Sequence, residues 1–121
     1  MEDGINKRRT GNAYERRAAE YLSKCGVKIL EMNYSFRRGE IDIIGLDNQT
    51  YIFVEVKYRK NTSHGHPAQA VTYSKQRTIC RMATLYIQRK KLPNKGSFRF
   101  DVITILDDEI TWYKNAFMYH V

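Results

Sequence analysis

Apolar positions recur at helical spacing near the start of the chain and predict a first helix. The stripe consists of Tyr14, Ala18, Tyr21, Leu22 and Cys25. Thr10 is expected to cap the start of this helix, and Gly26 is expected to end it. Residues 1–9 are polar and basic and are interpreted as a flexible leader, so that residues 10–121 form one domain.

Three stretches rich in β-branched and aromatic residues follow and predict strands at 27–33, 40–46 and 51–58. Residues 36–39 form a basic turn between the first two strands. The connection Asp47-Asn48-Gln49 is short and carries turn-forming side chains. It therefore predicts that the second and third strands form an antiparallel hairpin.

The second half of the chain predicts a further helix and two more strands. Helical spacing of apolar residues extends from about 67 to 91, after a polar loop at 61–67. Strands are expected at 98–105 and 110–113, with a turn at Asp107-Asp108. The order α-β-β-β-α-β-β indicates the α/β class, with a central mixed sheet flanked by helices. A helical crossover between the third and fourth strands predicts that this pair is parallel.

Length and composition are those of one folded domain. The chain has 121 residues, of which 42% are hydrophobic and 28% are charged, which excludes a disordered chain. No apolar run reaches the roughly 20 residues needed to span a bilayer, and the start of the chain lacks an apolar secretory signal. Cys25 and Cys80 match no zinc or redox spacing and are expected to be reduced thiols. A cytoplasmic location without membrane association is therefore expected.

The net charge of +8 favours an anionic partner. Such a charge attracts polyanions, with nucleic acid as the first expectation and acidic membranes or proteins as the second. Many small basic proteins bind nothing specific, so charge alone leaves this alternative open.

The candidate chemistry lies in the predicted hairpin. Alternation along the third strand places Glu55 and Lys57 on one face, and Ile52, Val54 and Val56 on the other. A buried unpaired charge is costly, so Glu55 and Lys57 require partners. Asp42, on the preceding strand, is the natural cross-strand partner.

Two carboxylates and an ammonium group suit phosphodiester chemistry. Carboxylates bind a hard cation such as Mg²⁺, which also accepts phosphate oxygens as ligands. The cation polarises the phosphoryl group and lowers the pKa of bound water. A neighbouring lysine orients or deprotonates the attacking water, or stabilises negative charge on the phosphate. By spacing alone, a buried structural ion pair of Lys57 with Asp42 or Glu55 explains the pattern equally well.

The same residues resemble known sequence families. Asp42 followed by Glu55-Val56-Lys57 resembles the PD-(D/E)xK signature of the restriction-endonuclease-like superfamily, with Ile41 in place of the proline. A closer resemblance is to the bacterial YraN-like family of small proteins. The segments that carry it are Arg38-Gly39-Glu40-Ile41-Asp42-Ile43-Ile44, Phe53-Val54-Glu55-Val56-Lys57-Tyr58-Arg59, the helix positions Gly11, Glu15, Ala19 and Leu22, then Gly65-His66-Pro67, Ala70-Val71, Lys75, Arg99-Phe100-Asp101-Val102 and Asn115-Ala116-Phe117.

This resemblance implies a restriction-endonuclease-like core, similar to that of Holliday-junction resolvases. It also implies an endonuclease in which Asp42 and Glu55 bind Mg²⁺ or Mn²⁺ and Lys57 is the catalytic lysine. Glu15 falls where related nucleases place a helix-borne acid that completes the metal shell, although a solvated acid paired with a basic neighbour is an equal alternative. Glu40 is either an outer ligand or a partner of Arg37 or Arg38. Gln69 is a further candidate for orienting water.

Basic residues flank the candidate site in sequence and are the candidate phosphate contacts. They are Arg37, Arg38, Arg59, Lys60, Lys75 and Arg77. His64 and His66 are interpreted as loop residues near the site, because no further soft ligand accompanies them. Cutting both strands of a junction would require a homodimer, for which the sequence carries no signature.

These observations favour a divalent-metal-dependent endonuclease acting on DNA, with branched DNA among its candidate substrates. One alternative is a nucleic-acid-binding module of the same fold that does not cleave. Intact Asp42, Glu55 and Lys57 favour the enzyme over that module. Another alternative is an RNA-cleaving nuclease or toxin domain, since nothing in the sequence separates DNA from RNA.

Overall fold

The computed structural model describes residues 2–59, 71–92 and 96–120, with side chains described from residue 13 onward. The helices are α1 (Glu2–Lys24) and α2 (Tyr73–Arg89), and the strands are β1 (Lys28–Phe36), β2 (Gly39–Asp47), β3 (Thr50–Arg59), β4 (Ser97–Leu106) and β5 (Glu109–Phe117). The α/β class and the order α-β-β-β-α-β-β are confirmed.

The five strands form one mixed sheet in the order β1-β2-β3-β4-β5. Neighbouring strands are antiparallel except β3 and β4, which run parallel with Phe53 opposite Phe100. The predicted parallel pair is therefore confirmed. α2 lies in the chain between these two strands, as a crossover connection requires.

The two helices pack on the sheet through separate hydrophobic clusters. Ile79, Met82 and Tyr86 of α2 pack with Phe53 and Phe100 of the sheet. Ala18 and Leu22 of α1 pack with a second set of sheet residues, which includes Ile43, Ile52, Val54 and Ile103. Burial on both faces explains why the central strands are almost continuously apolar.

Each of the three strand hairpins closes through two residues, of which the first has a positive φ. The first residues of these turns are Arg37 (φ 57°), Asn48 (φ 58°) and Asp107 (φ 57°). Positive φ in short hairpin turns matches the right-handed twist of the flanking strands. The predicted basic turn and the predicted β2–β3 hairpin are confirmed.

Four element boundaries differ from the sequence expectation by three residues or more: the start of α1, the end of β1 at Phe36, the start of α2 at Tyr73 and the end of β5. Residues 2–9 are helical and continue α1, and Thr10 lies inside the helix instead of capping it. The segment is rich in Glu, Lys and Arg, which are good helix formers, and contains no proline. β5 ends at Phe117, four residues beyond the predicted end at residue 113, because Phe117 stacks on Phe100 at a centroid distance of 5.2 Å. The start of α2 is set by Thr72, whose hydroxyl accepts a hydrogen bond from the Lys75 N–H.

A buried polar network ties β4 to β5. The fully buried Asp101 accepts hydrogen bonds from Arg99, from the Trp112 indole N–H and from the Asn115 N–H, each at 2.9 Å. Arg99 also bonds to Asp47 at the end of β2. The Asp101 carboxylate is thereby satisfied, as burial of a charge requires.

Neither α1 nor α2 is long and apolar enough to cross a membrane, within the residues described.

We expect Gly45→Ala to lower the free energy of unfolding by about 1–3 kcal/mol. A Cβ at Gly45 would lie 2.8 Å from Val27 Cγ1 and 3.2 Å from the Lys28 carbonyl oxygen, because β2 passes close to the start of β1. Urea unfolding measures the loss. Val27→Ala in the same chain should relieve part of it, so strictly additive effects of the two substitutions would contradict the close approach.

Candidate metal centre

The candidate site lies where the regular alternation of β2 breaks at Asp42. Ile41 packs in the cluster beneath α2, whereas Ile43, two positions along, packs in the cluster beneath α1. The pairing of β2 with β3 also ends next to Asp42. It runs from the hairpin turn as far as Ile43 opposite Val54 and no further. Asn33 lies at the same level of β1, between the pairs that Met32 and Tyr34 form with β2, and its φ of 51° is left-handed. Such irregularities turn side chains away from the sheet faces.

The backbone of β3 fixes the orientation of Asp42. The Val56 N–H donates a 2.8 Å hydrogen bond to Asp42 Oδ2. The carboxylate thus takes the place of a backbone acceptor where the two strands separate. Asp42 is 6% exposed, so the hydrogen bond also offsets part of the cost of burying it.

Three carboxylates meet at this point from two different elements. Glu15 of α1 and Glu40 and Asp42 of β2 each offer an oxygen within 4.8 Å of the others. The Asn33 amide donates a 2.7 Å hydrogen bond to Glu15 Oε1, and the Ser35 hydroxyl donates a 3.1 Å bond to Glu40 Oε1. β1 therefore positions both outer acids. The structure brings Glu15 to Asp42, as the resemblance implied.

Glu55 adjoins this group through Asp42. It lies on β3 and is 5% exposed, and its Oε2 atom is buried without a hydrogen-bond partner among the described residues. Burial first, and then hydrogen bonding and charge repulsion with Asp42, raise the pKa of Glu55 to about 9. Burial is also the main cause that raises the pKa of Glu15 to about 7, against the lowering effect of the Asn33 hydrogen bond.

Two lysines border the carboxylates. Lys75, near the start of α2, has its Nζ atom 3.8 Å from Glu55 Oε2. Lys57 is half-buried on β3, and its charge lowers the pKa of Glu55, as does that of Lys75. Within the described residues Lys57 forms no ion pair with Asp42 or Glu55. The alternative explanation from the sequence, a structural ion pair of Lys57 with one of these two acids, is therefore not observed.

The described candidate phosphate contacts fall into four places. Arg37 and Arg38 are exposed in the β1–β2 turn, and Arg77 is exposed on α2. Lys75 lies at the carboxylates, and the Arg59 guanidinium donates to the Tyr58 carbonyl at the end of β3. Lys60, Gln69, His64 and His66 lie outside the described residues.

The donor set fits a hard divalent cation. Mg²⁺ takes oxygen ligands at about 2.1 Å, so two oxygens bound to one ion lie no more than about 4 Å apart. The carboxylate oxygens of the three acids lie within 4.8 Å of one another. This separation is compatible with one shared cation if one of the acids binds it through a water molecule. Glu55 Oε2, which has no hydrogen-bond partner among the described residues and lies 3.8 Å from Lys75 Nζ, is a further possible ligand atom, and Asp42 lies between Glu55 and the other two acids.

Sequence reasoning missed Asn33 and the position of Lys75. The sequence does contain a signal for the irregular backbone at Asn33, because asparagine tolerates a left-handed backbone and is unusual inside a strand. The contact of Lys75 with Glu55 has no signal in the sequence, because it depends on how α2 packs across the sheet.

Comparison with known proteins shows that these residues lie within the range matched by a family model. The profile of the uncharacterised protein family UPF0102 matches residues 14–105. A UPF0102 protein of Lachnoclostridium phytofermentans is 46% identical over 113 residues, covering 93% of this chain and 96% of its own length. UPF0102 proteins of Vibrio cholerae and Caldicellulosiruptor saccharolyticus are 42% and 40% identical, covering 93% of this chain and 94% and 100% of their own lengths. The matched range contains Glu15, Glu40, Asp42, Glu55 and both lysines.

We expect the stability of the metal-free protein to fall as pH rises from about 4.5 to about 9. The ordinary pKa of both acids is 4.5, and the folded values are about 7 for Glu15 and about 9 for Glu55. Between these limits the folded chain holds protons that the unfolded chain has released, so rising pH favours unfolding. Urea midpoints measured at unit pH steps in the presence of a chelator test this.

Glu55→Gln is the control for this titration. The amide is neutral at every pH, so the variant should lose the part of the pH slope that Glu55 contributes. An identical slope in the parent and in Glu55→Gln would contradict the raised pKa.

Proposed function

This chain belongs to the uncharacterised protein family UPF0102, and we propose that it is a divalent-metal-dependent nuclease that hydrolyses phosphodiester bonds in DNA. Mg²⁺ or Mn²⁺ is the proposed cofactor. The proposal rests on the arrangement of acids and lysines at the break in β2. The resemblance to the restriction-endonuclease-like superfamily supports it, because Asp42, Glu55 and Lys57 fall on the positions of its signature.

One observation carries the proposal more than any other. Glu55 Oε2 is buried and lacks a hydrogen-bond partner among the described residues, yet it lies beside Asp42. Lys75 Nζ, 3.8 Å away, pairs with this atom by charge but lies beyond hydrogen-bond distance, so Oε2 lacks the hydrogen bond that buried polar atoms usually form. A divalent cation held by Asp42 and Glu55 would give this oxygen a ligand and would offset the repulsion between the two side chains.

Each residue then has a separate role. Asp42 and Glu55 hold the cation, and Glu15 and Glu40 complete its surroundings directly or through water. A divalent cation held by these acids would supply polarisation of the scissile phosphate and a lowered pKa for a bound water. Lys57 orients that water and stabilises negative charge on the phosphate. Lys75 balances the charge of Glu55 and is a second ammonium within reach of the phosphate.

We expect Asp42→Asn and Glu55→Gln to abolish cleavage while the fold stays intact, because an amide loses both the charge and the geometry that hold the cation. Lys57→Ala should impair cleavage but retain cation binding. Linear, branched and single-stranded DNA and RNA are incubated with the parent in Mg²⁺, Mn²⁺ or chelator. Each variant is then assayed on the substrate that is cut, beside a thermal melt.

The melt separates this proposal from a structural ion pair. Breaking a buried pair costs about 3–5 kcal/mol, so that alternative predicts variants that melt much earlier. Because a pKa of about 9 leaves Glu55 largely protonated at neutral pH, Glu55→Gln should melt near the parent, and Asp42→Asn, which removes a charge next to other acids, should melt at the same or a higher temperature. A parent that cuts no substrate with any divalent metal would leave a non-cleaving binding module as the function.

We also expect Asn33→Gly to weaken Mn²⁺ binding by about ten-fold, because loss of a group that orients a ligand typically costs ten- to a hundred-fold in affinity. Glycine keeps the left-handed backbone at φ 51° and removes only the amide that holds Glu15. Calorimetry with Mn²⁺ measures the affinity. Ser35→Ala, which frees the exposed Glu40, is the matched control and should weaken binding less. Equal affinity of Asn33→Gly and the parent would remove Glu15 from the site.

A further inference from the structure

The exposed side of α2 and the β1–β2 turn form a basic groove. Two adjoining depressions, of about 520 Å³ and 670 Å³, share Arg81 and Leu85 in their walls. Arg77 lines the first depression, and Arg37 and Arg38 line the second. We call the surface formed by these four arginines the arginine groove.

Close packing of the β1–β2 turn on α2 holds the two halves of the groove together. A Cβ at Gly39 would lie 2.5 Å from Met82 Sδ, so only glycine lets the turn sit directly against the helix. Gly39 follows Arg38 and precedes Glu40 in the chain. Lys75, two residues before Arg77, contacts Glu55. The β1–β2 turn and the start of α2 thus each carry residues of the arginine groove and residues of the candidate metal centre.

The charges in this groove are unbalanced. No described carboxylate lines either depression, and none of the four arginines forms an ion pair within the described ranges. Arg77 and Arg81 lie one helical turn apart, about 6 Å along the axis. Guanidinium groups bind phosphate through paired N–H donors. A row of phosphates is the anion that fits this arrangement.

The groove also exposes aromatic and apolar side chains. Tyr119 is 54% exposed at one end, and its hydroxyl lies 3.2 Å from that of Thr84. Phe36 lines the other end, with the Arg37 guanidinium 5.4 Å from its ring centroid. A duplex turns its base faces inward, whereas a single strand presents them for stacking on such rings. Rings at both ends of the row of arginines therefore favour a single strand over a duplex.

We propose that the arginine groove binds a single-stranded segment of nucleic acid and leads it past the carboxylate cluster. This inference rests on the proposed function and narrows its substrate to nucleic acid with a single-stranded region next to the cut. Arg77 and Arg81 bind successive phosphates, and Tyr119 stacks on a base. Arg81 and Tyr119 are thereby assigned roles that the sequence did not suggest.

The test measures binding in chelator, so that it does not depend on cleavage. Fluorescence anisotropy follows a labelled oligothymidine of about 16 nucleotides, near the upper site size of single-strand-binding folds, and a mixed-sequence duplex of the same length. We expect the parent to bind the single strand more tightly. Arg77→Ala/Arg81→Ala should weaken this binding at least about ten-fold and reduce the slope of log affinity against log salt by about 1.4, which is about 0.7 per lost phosphate contact.

Arg16→Ala/Lys24→Ala is the matched control, since it removes the same charge from a depression on α1. It should change single-strand affinity by no more than about two-fold, as expected for long-range charge alone. Tyr119→Ala should weaken single-strand binding by about ten-fold, and Tyr119→Phe, which keeps the ring, should not. Circular dichroism confirms that each variant is folded.

The proposal is overturned if the duplex binds as tightly as the single strand, or if the groove and control variants weaken binding equally. The experiment distinguishes failure of the groove proposal from failure of the proposed nuclease function. A parent that cleaves although the groove variants bind normally overturns only the groove. A parent that never cleaves, but whose single-strand binding depends on Arg77 and Arg81, overturns only the nuclease.

Discussion

The site depends on one hydrogen bond, from the Val56 N–H to the Asp42 carboxylate. In an uninterrupted ladder that N–H would pair with a backbone carbonyl of β2, and Asp42 would point to one face of the sheet. Because the side chain replaces the carbonyl, β2 leaves the ladder, and Asp42 reaches Glu15 from α1 as well as Glu55 from β3. Acids held by three separate elements meet only because the strand breaks at this residue.

The carboxylate cluster is negatively charged, whereas the chain as a whole is positively charged. A protein with a net charge of +8 gathers four carboxylates at one point and places lysines only at its border. Burial raises the pKa of two of these acids, so the fold carries a local cost that its hydrophobic clusters must offset. Acids with raised pKa values gathered in one place are typical of functional sites, although structural ion networks also shift pKa values.

The sequence predicted those features that depend on local patterns. Strand alternation placed Glu55 and Lys57 together, and short polar connections placed the hairpins, so the core of the site followed from residues 39–59. The helix spacing around Leu22 likewise predicted the buried stripe of α1. The extent of β5 did not follow, because it is set by Phe117 stacking on Phe100 across the sheet. The contact of Lys75 with Glu55 was also hidden, since it depends on packing between distant segments.

The network around Asp101 gives the molecule a built-in optical reporter. Trp112 is the only tryptophan, and its indole donates to Asp101 while Lys114 lies 4.4 Å from its ring centroid. Its environment is set by the pairing of β4 with β5, on the far side of β3 from Asp42. Fluorescence emission from this indole therefore reports whether the sheet is folded. Substitutions in the carboxylate cluster around Asp42 leave the immediate surroundings of the indole unchanged. Folding and chemistry can thus be observed separately in the same unlabelled chain.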